Sequence, residues 1–113
     1  MEQADNIWIK HVEEAIEIIN SHIGDVTIEQ FKNSVKDQDA VIRRIEIIGE
    51  AVSNISDKFQ EAHSEVNWAD IVGMRNILAH EYFGIDLDIV WSTIKNDIPR
   101  LKEALSNLKN EIV

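Results

Sequence analysis

The stretch Asp39-Ala40-Val41-Ile42-Arg43-Arg44-Ile45-Glu46-Ile47-Ile48-Gly49-Glu50-Ala51-Val52-Ser53-Asn54-Ile55 carries the clearest period in the chain. Val41, Ile45, Ile48, Val52 and Ile55 recur at steps of four and three, so on a helix they fall into one narrow apolar stripe. Asp39, Arg43, Glu46 and Glu50 fall on the opposite side. A stripe that narrow is what a helix packed in a bundle presents to its neighbours, and either Asp37 or Asp39 can cap its start. The polar side has two readings. It is a solvated face, or else Asp39, Arg43 and Glu46 line a cleft opposite another helix.

Working outward, the same period continues on both sides. Upstream, Trp8, Val12, Ala15, Ile19 and Ile23 recur at helical spacing, with Gly24 placed as a C-cap. Thr27, with Gln30 three residues on, is a capping-box signature for a short helix carrying Phe31. Downstream, Ser56 to Ser64 is polar and reads as a loop or a single turn. A further helix starts near Trp68 and runs through Ile71 and Leu78 until Gly84 breaks it. Asp86 or Asp88 opens the last helix, whose stripe of Ile94, Ile98, Leu101, Leu105, Leu108 and Ile112 has heptad-like spacing. Pro99 interrupts that stripe and is expected to kink the helix, because it removes a backbone donor. Four main helices with short connections imply an all-α fold, an up-and-down four-helix bundle with an additional short helix. With no repeat, linker or low-complexity tract, residues 1–113 read as a single domain.

Composition narrows the class. The 113 residues are 44% hydrophobic and 28% charged with one proline, the balance of a folded chain with one core. The start, Met1-Glu2-Gln3-Ala4-Asp5, lacks the basic-then-apolar pattern of a signal peptide, and no apolar run is long enough to span a bilayer, so a cytoplasmic protein without membrane attachment is expected. The absence of cysteine excludes disulfides and thiolate metal sites. Twenty-one acids against 11 bases give a net charge of -10. Such a chain repels nucleic acid at long range, since phosphate binding depends on Lys and Arg displacing counterions. A polyanion-coating protein is excluded by this charge, but a local cleft with a few arginines is not.

Most catalytic signatures are missing. The four glycines form no phosphate loop, and no G-x-S-x-G elbow occurs. No His follows a Glu by three residues, as a di-iron bundle requires. His11, His22, His63 and His80 lack metal-ligand spacing, and the first three read as surface or capping residues. Neither a metal nor a cofactor is called for.

One segment does concentrate chemistry: Arg75-Asn76-Ile77-Leu78-Ala79-His80-Glu81-Tyr82. On a helix Arg75 and Tyr82, seven apart, share a face. Asn76 and His80, four apart, share an adjacent one, so the amide can orient the imidazole. Arg75 and His80 are about 140° apart around an ideal helix. Either the helix loosens near His80, or a working site combines side chains from two chains across a two-fold axis. The residue types suit RNA cleavage by the 2'-hydroxyl. Histidine moves protons near neutrality, and arginine offers a permanently charged fork to the phosphoryl oxygens.

The run Gly73-Met74-Arg75-Asn76-Ile77-Leu78-Ala79-His80-Glu81-Tyr82-Phe83-Gly84 closely resembles the R-x4-H-x-Y motif of HepT-like HEPN toxins. The resemblance extends to Gln38 through Arg43, Glu46 through Ala51, Trp68, Asp86 through Trp91 and Lys95 through Pro99, and so covers nearly the whole chain. It implies a HEPN-like bundle that dimerises with its motifs facing a shared cleft, and a metal-independent endoribonuclease toxin of a type II toxin–antitoxin system. By the resemblance Arg75 and His80 are the catalytic pair and Asn76 the supporting polar residue. Tyr82 corresponds to the tyrosine to which a partner nucleotidyltransferase of the MntA kind transfers AMP, silencing the toxin. The implied partners are a second copy of the chain (a homodimer), a cognate nucleotidyltransferase antitoxin and an RNA substrate. The competing reading is a non-catalytic helical partner, or a nucleotide-binding subunit, of a nucleotidyltransferase complex.

Overall fold

The structure is a computed structural model that describes residues 3–73 and 86–112, with side chains for 5–73 and 86–107. In chain order it contains α1 (Gln3–Ile23), α2 (Ile28–Lys32), α3 (Val35–Ser53), α4 (Asp57–Ala62), the helical turns of 68–73 (α5), α6 (Leu87–Ser92), a π-helical turn (Thr93–Asp97) and α7 (Ile98–Ile112). Every described element is helical, as the periodicity requires.

The central stripe is the core. Val41, Ile45, Ile48, Val52 and Ile55 are all buried, and α3 packs along α1 through Ile9, Val12, Ala15, Ile16, Ile19 and Ile23. Their antiparallel course is fixed by polar ties at both ends. At one end His22, in the last turn of α1, meets Asp37, in the first turn of α3, at 3.1 Å. At the other, Asp5 of α1, only 3% exposed, accepts the backbone N–H of Ser56 and its hydroxyl, each at 2.8 Å. A buried carboxylate is tolerable only when donors reach it, and Ser56 supplies two.

Several expected boundaries hold for the expected reason. Thr27 and Gln30 form a complete capping box, and the short α2 delivers Phe31, fully buried, to the core. Asp86, of the two candidates, is the N-cap of α6, accepting from Asp88 and Ile89. Ser56 to Ser64, expected as a loop or a single turn, instead contains the short helix α4, capped by Ser56 and anchored by the buried Phe59. Trp68 opens α5, behind Asn67, whose side chain accepts from the Asp70 N–H at 3.3 Å.

Other boundaries are corrected. Ser34, and neither Asp37 nor Asp39, caps α3. Its hydroxyl accepts the Asp37 N–H, which puts Asp37 inside the first turn, where the helix dipole favours an acid. Gly24 follows α1 without the left-handed φ of a glycine cap; its N–H continues the helical pattern to Asn20 O at 2.9 Å. The helix continues past Pro99, as the stripe running on to Leu105 requires. The preceding π turn, with Ile98 N–H bonded to Thr93 O, opens the register by one residue where the proline lacks a donor. Ile94, Ile98, Leu101 and Leu105 all stay buried. No described helix is long and apolar enough to cross a membrane.

Candidate functional site

Arg75, Asn76, His80 and Tyr82, together with Leu78 and Gly84, lie outside the described residues. Their two flanks are described, and both are anchored to the bundle.

The leading flank is the connection from α4 into α5. α4 is held to the end of α3 by Gln60, whose side-chain amide donates at 3.1 Å to Val52 O, which also accepts the Ile55 N–H, and at 3.0 Å to Ile55 O, just past the helix. Ser56 caps α4 through the Phe59 N–H while also reaching Asp5. His63 is the C-cap of α4. Its carbonyl accepts twice, from the Val66 N–H at 3.2 Å and from the Trp68 indole N–H at 3.0 Å. Trp68 is buried, edge-on to Phe59 with ring centroids 6.3 Å apart. From it the helical turns of 68–73 lead to Arg75, two residues beyond Gly73.

The trailing flank is α6. Asp88 pairs with Lys32 of α2 at 2.7 Å, and Trp91 packs on Phe31 with centroids 5.4 Å apart. Lys95 lies 4.8 Å from the Trp91 ring centroid, in cation–π range. Thus α2, a helix of five residues, is the seat on which the chain after the motif is fixed.

Of the three residues proposed to line a cleft, Arg43 and Glu46 are brought together at 3.5 Å on α3, with the Arg43 side chain 69% exposed. Asp39 is exposed and makes no ion pair among the described residues. All three occur on the face away from the core, as the spacing implies. The histidines are also placed as expected for surface and capping roles: His11 is exposed beside Trp8, His22 pairs with Asp37, and His63 ends α4. Hydrogen bonding by His22, and after it by Ser34, holds the Asp37 carboxyl below its ordinary value of 3.8.

A cavity of about 140 Å3 opens beside the leading flank, between Glu65, Asn67, Asp70 and Ile71 on one side and Asp97 and Arg100 on the other. Sequence reading missed this juncture. Its only signal was Trp68 standing ahead of the motif, and neither the indole's bond to His63 nor the Asp5–Ser56 tie leaves a periodic trace.

Comparison with known proteins decides the family. The model of a family described as ribonuclease HepT-like matches residues 12–108. The chain belongs to that family. A probable ribonuclease HepT of Thermococcus cleftensis is 39% identical over 96% of this chain and 99% of its own length. A gamma-glutamylcyclotransferase and putative RNase of Methanocaldococcus jannaschii is 43% identical over 94% of this chain, which spans only 48% of that protein. The solved structure of a tri-AMPylated HEPN toxin of Shewanella oneidensis, in complex with MNT antitoxin, superposes with a TM-score of 0.75 over 97% of this chain and 99% of its own. At 22% identity that likeness establishes the HEPN all-α fold. The HepT-like match includes the positions of Arg75, Asn76, His80 and Tyr82.

Proposed function

We propose that this HepT-like chain is a metal-independent endoribonuclease toxin, with Arg75 and His80 as its catalytic pair and Asn76 orienting the imidazole. One base moves the 2'-hydroxyl proton, and one fixed guanidinium meets the charge that grows on the phosphoryl oxygens. The observation that carries the reading is the family match over residues 12–108, which brings an R-x4-H-x-Y segment into a chain of ribonuclease relatives. The anchoring of both flanks, by Trp68 on one side and by Phe31 and Lys32 on the other, supports it: a catalytic segment needs a rigid support.

The site works in a homodimer, where a two-fold axis supplies the Arg75 and His80 side chains that one ideal helix points apart. A nucleotidyltransferase antitoxin transfers AMP from ATP to the Tyr82 hydroxyl, which loses its proton as the α–β phosphoanhydride bond breaks and pyrophosphate leaves. The new phosphodiester anion competes with the RNA phosphate for Arg75, and the adenosine fills the groove. The likeness to a toxin solved as a tri-AMPylated complex with its antitoxin favours this form of control.

The test is cleavage of an RNA oligonucleotide in the presence of chelator. Wild type should cut, and Arg75→Ala and His80→Ala should each abolish cutting with helical content unchanged. Arg75→Lys should also be impaired, since a point charge does not reproduce the fork. Cleavage that needs a divalent metal, or that survives in His80→Ala, refutes the mechanism. Incubation with ATP and the cognate nucleotidyltransferase should add AMP mass that Tyr82→Phe removes; unchanged mass refutes the regulation alone.

A further inference from the structure

Trp91 carries a half-buried indole that meets the core on one side and a cation on the other. From the core it rests on the fully buried Phe31, with ring centroids 5.4 Å apart and planes tilted by 40°. Over the ring lies the exposed Lys95, its ammonium 4.8 Å from the centroid. Asp88, three residues before Trp91, pairs at 2.7 Å with Lys32, the neighbour of Phe31. Two contacts from α2 therefore hold the indole in place.

That bridge also fixes the local charge. Asp88 is the acid nearest to Trp91 in sequence, and Lys32 already answers it. Lys95 makes no ion pair among the described residues, so its charge is left uncompensated beside the ring. In a chain of net charge -10 that is a local exception. An aromatic face with a free cation beside it suits a single strand of nucleic acid, whose base stacks on the ring while the cation meets a phosphate. A base that moves over the indole displaces Lys95 from it. The exchange is favourable, because a stacked base is worth more than a cation–π contact at an exposed site. The freed ammonium then turns to the strand. A duplex gains nothing here, since its base faces are stacked on one another.

We propose that Trp91 and Lys95 form a contact site for single-stranded RNA, the indole stacking on one base and the Lys95 ammonium pairing with an adjacent phosphate. The proposal rests on the reading of RNA as the substrate and names where this chain holds the strand. Its test reads binding and not cleavage, so the two can fail separately.

Affinity is measured with a labelled 2'-O-methyl oligonucleotide, which cannot be cleaved through a 2'-hydroxyl. Lys95 is exposed and outside the core, so Lys95→Ala keeps the fold. It should weaken binding severalfold and make the log–log salt slope shallower by about 0.7, the share of one phosphate on a single strand. Trp91→Leu should weaken binding about tenfold, as loss of one stacked base does. Indole emission of wild type should be quenched by the bound single strand and not by a duplex of the same sequence, and Trp91→Leu should lose that quenching. If Trp91→Leu fails to fold, the Lys95 variant and the wild-type quenching still decide. A merely structural role lowers thermal stability in the variants and leaves the salt slope of Lys95→Ala at the wild-type value, which overturns the proposal. A wild type that does not bind the single strand, or binds it without quenching, overturns it too. Cleavage of unmodified RNA is followed alongside. If wild type cuts while these contacts prove silent, the ribonuclease reading stands without them; if the contacts are found and nothing is cut, only the ribonuclease reading fails.

Discussion

Two carboxylates on neighbouring helices show how single residues set the register of this bundle. Asp5 is buried and consumes both donors of Ser56, while Asp37 stands at the surface end of α3 and shares a hydrogen bond with His22. The first is invisible to any local reading, since its partner lies 51 positions away. The second has a pH consequence whose sign follows from its cause. His22 and then Ser34 hold the Asp37 carboxyl below its ordinary value of 3.8, so the charged form is favoured in the folded chain. Its contribution to stability is present above 3.8 and is lost as pH falls through the lower folded value. Thermal unfolding of wild type and Asp37→Asn, followed from about pH 6 downward, should show wild type more stable at the upper end and the two curves converging below 3.8. A gap that stays constant or widens toward acid would show that the His22–Asp37 tie does not depend on the carboxylate.

Among the elements, α2 and the α6–α7 helix show how short pieces do long-range work. Five residues suffice for α2 because its capping box satisfies the first turn and Phe31 inserts completely into the core. Phe31 also receives Trp91, so α2 belongs structurally to the segment after the motif as much as to α3. In the last helix the conflict between Pro99 and an unbroken apolar stripe is resolved by the π turn Thr93–Asp97, which keeps Ile94, inside it, and Ile98, just after it, both buried. If Pro99 only interrupts the ladder, Pro99→Ala restores a donor and gains helix propensity, offset partly by a freer unfolded chain. Urea unfolding should then show a gain of about 1–3 kcal/mol. A loss would mean that the widened register is itself required for packing.

Across the whole molecule, charge and function pull against each other. A net charge of -10 surrounds a site proposed to bind RNA, so attraction must come from a few local cations while the remaining surface repels. Binding through about three phosphates gives a log–log salt slope near -2 for single-stranded RNA, and screening of the repulsion makes it shallower still. RNA affinity measured between about 50 and 200 mM salt should therefore change by no more than roughly twentyfold. A loss on the order of a thousandfold would reveal an extended basic track and would contradict the local-cleft reading.

What the sequence by itself determined is the helical class, the stripe from Val41 to Ile55 that became the core, the capping box at Thr27 and a start for the last helix at Asp86 or Asp88, of which the structure selects Asp86. It also marked out the Arg75–Tyr82 segment and its family resemblance, because periodicity, capping and motif spacing are local properties that one chain displays along its length. The Ser34 cap of α3 is likewise local, a Ser-x-x-Asp pattern in which the hydroxyl accepts the Asp37 N–H three residues on. Only the tertiary structure joined Asp5 to Ser56, absorbed Pro99 in a π turn, and directed the Trp68 indole onto His63. Each of these depends on where a neighbour's donor or acceptor lies after the helices have packed. That position is set by the burial of the stripes together, and no local pattern encodes it.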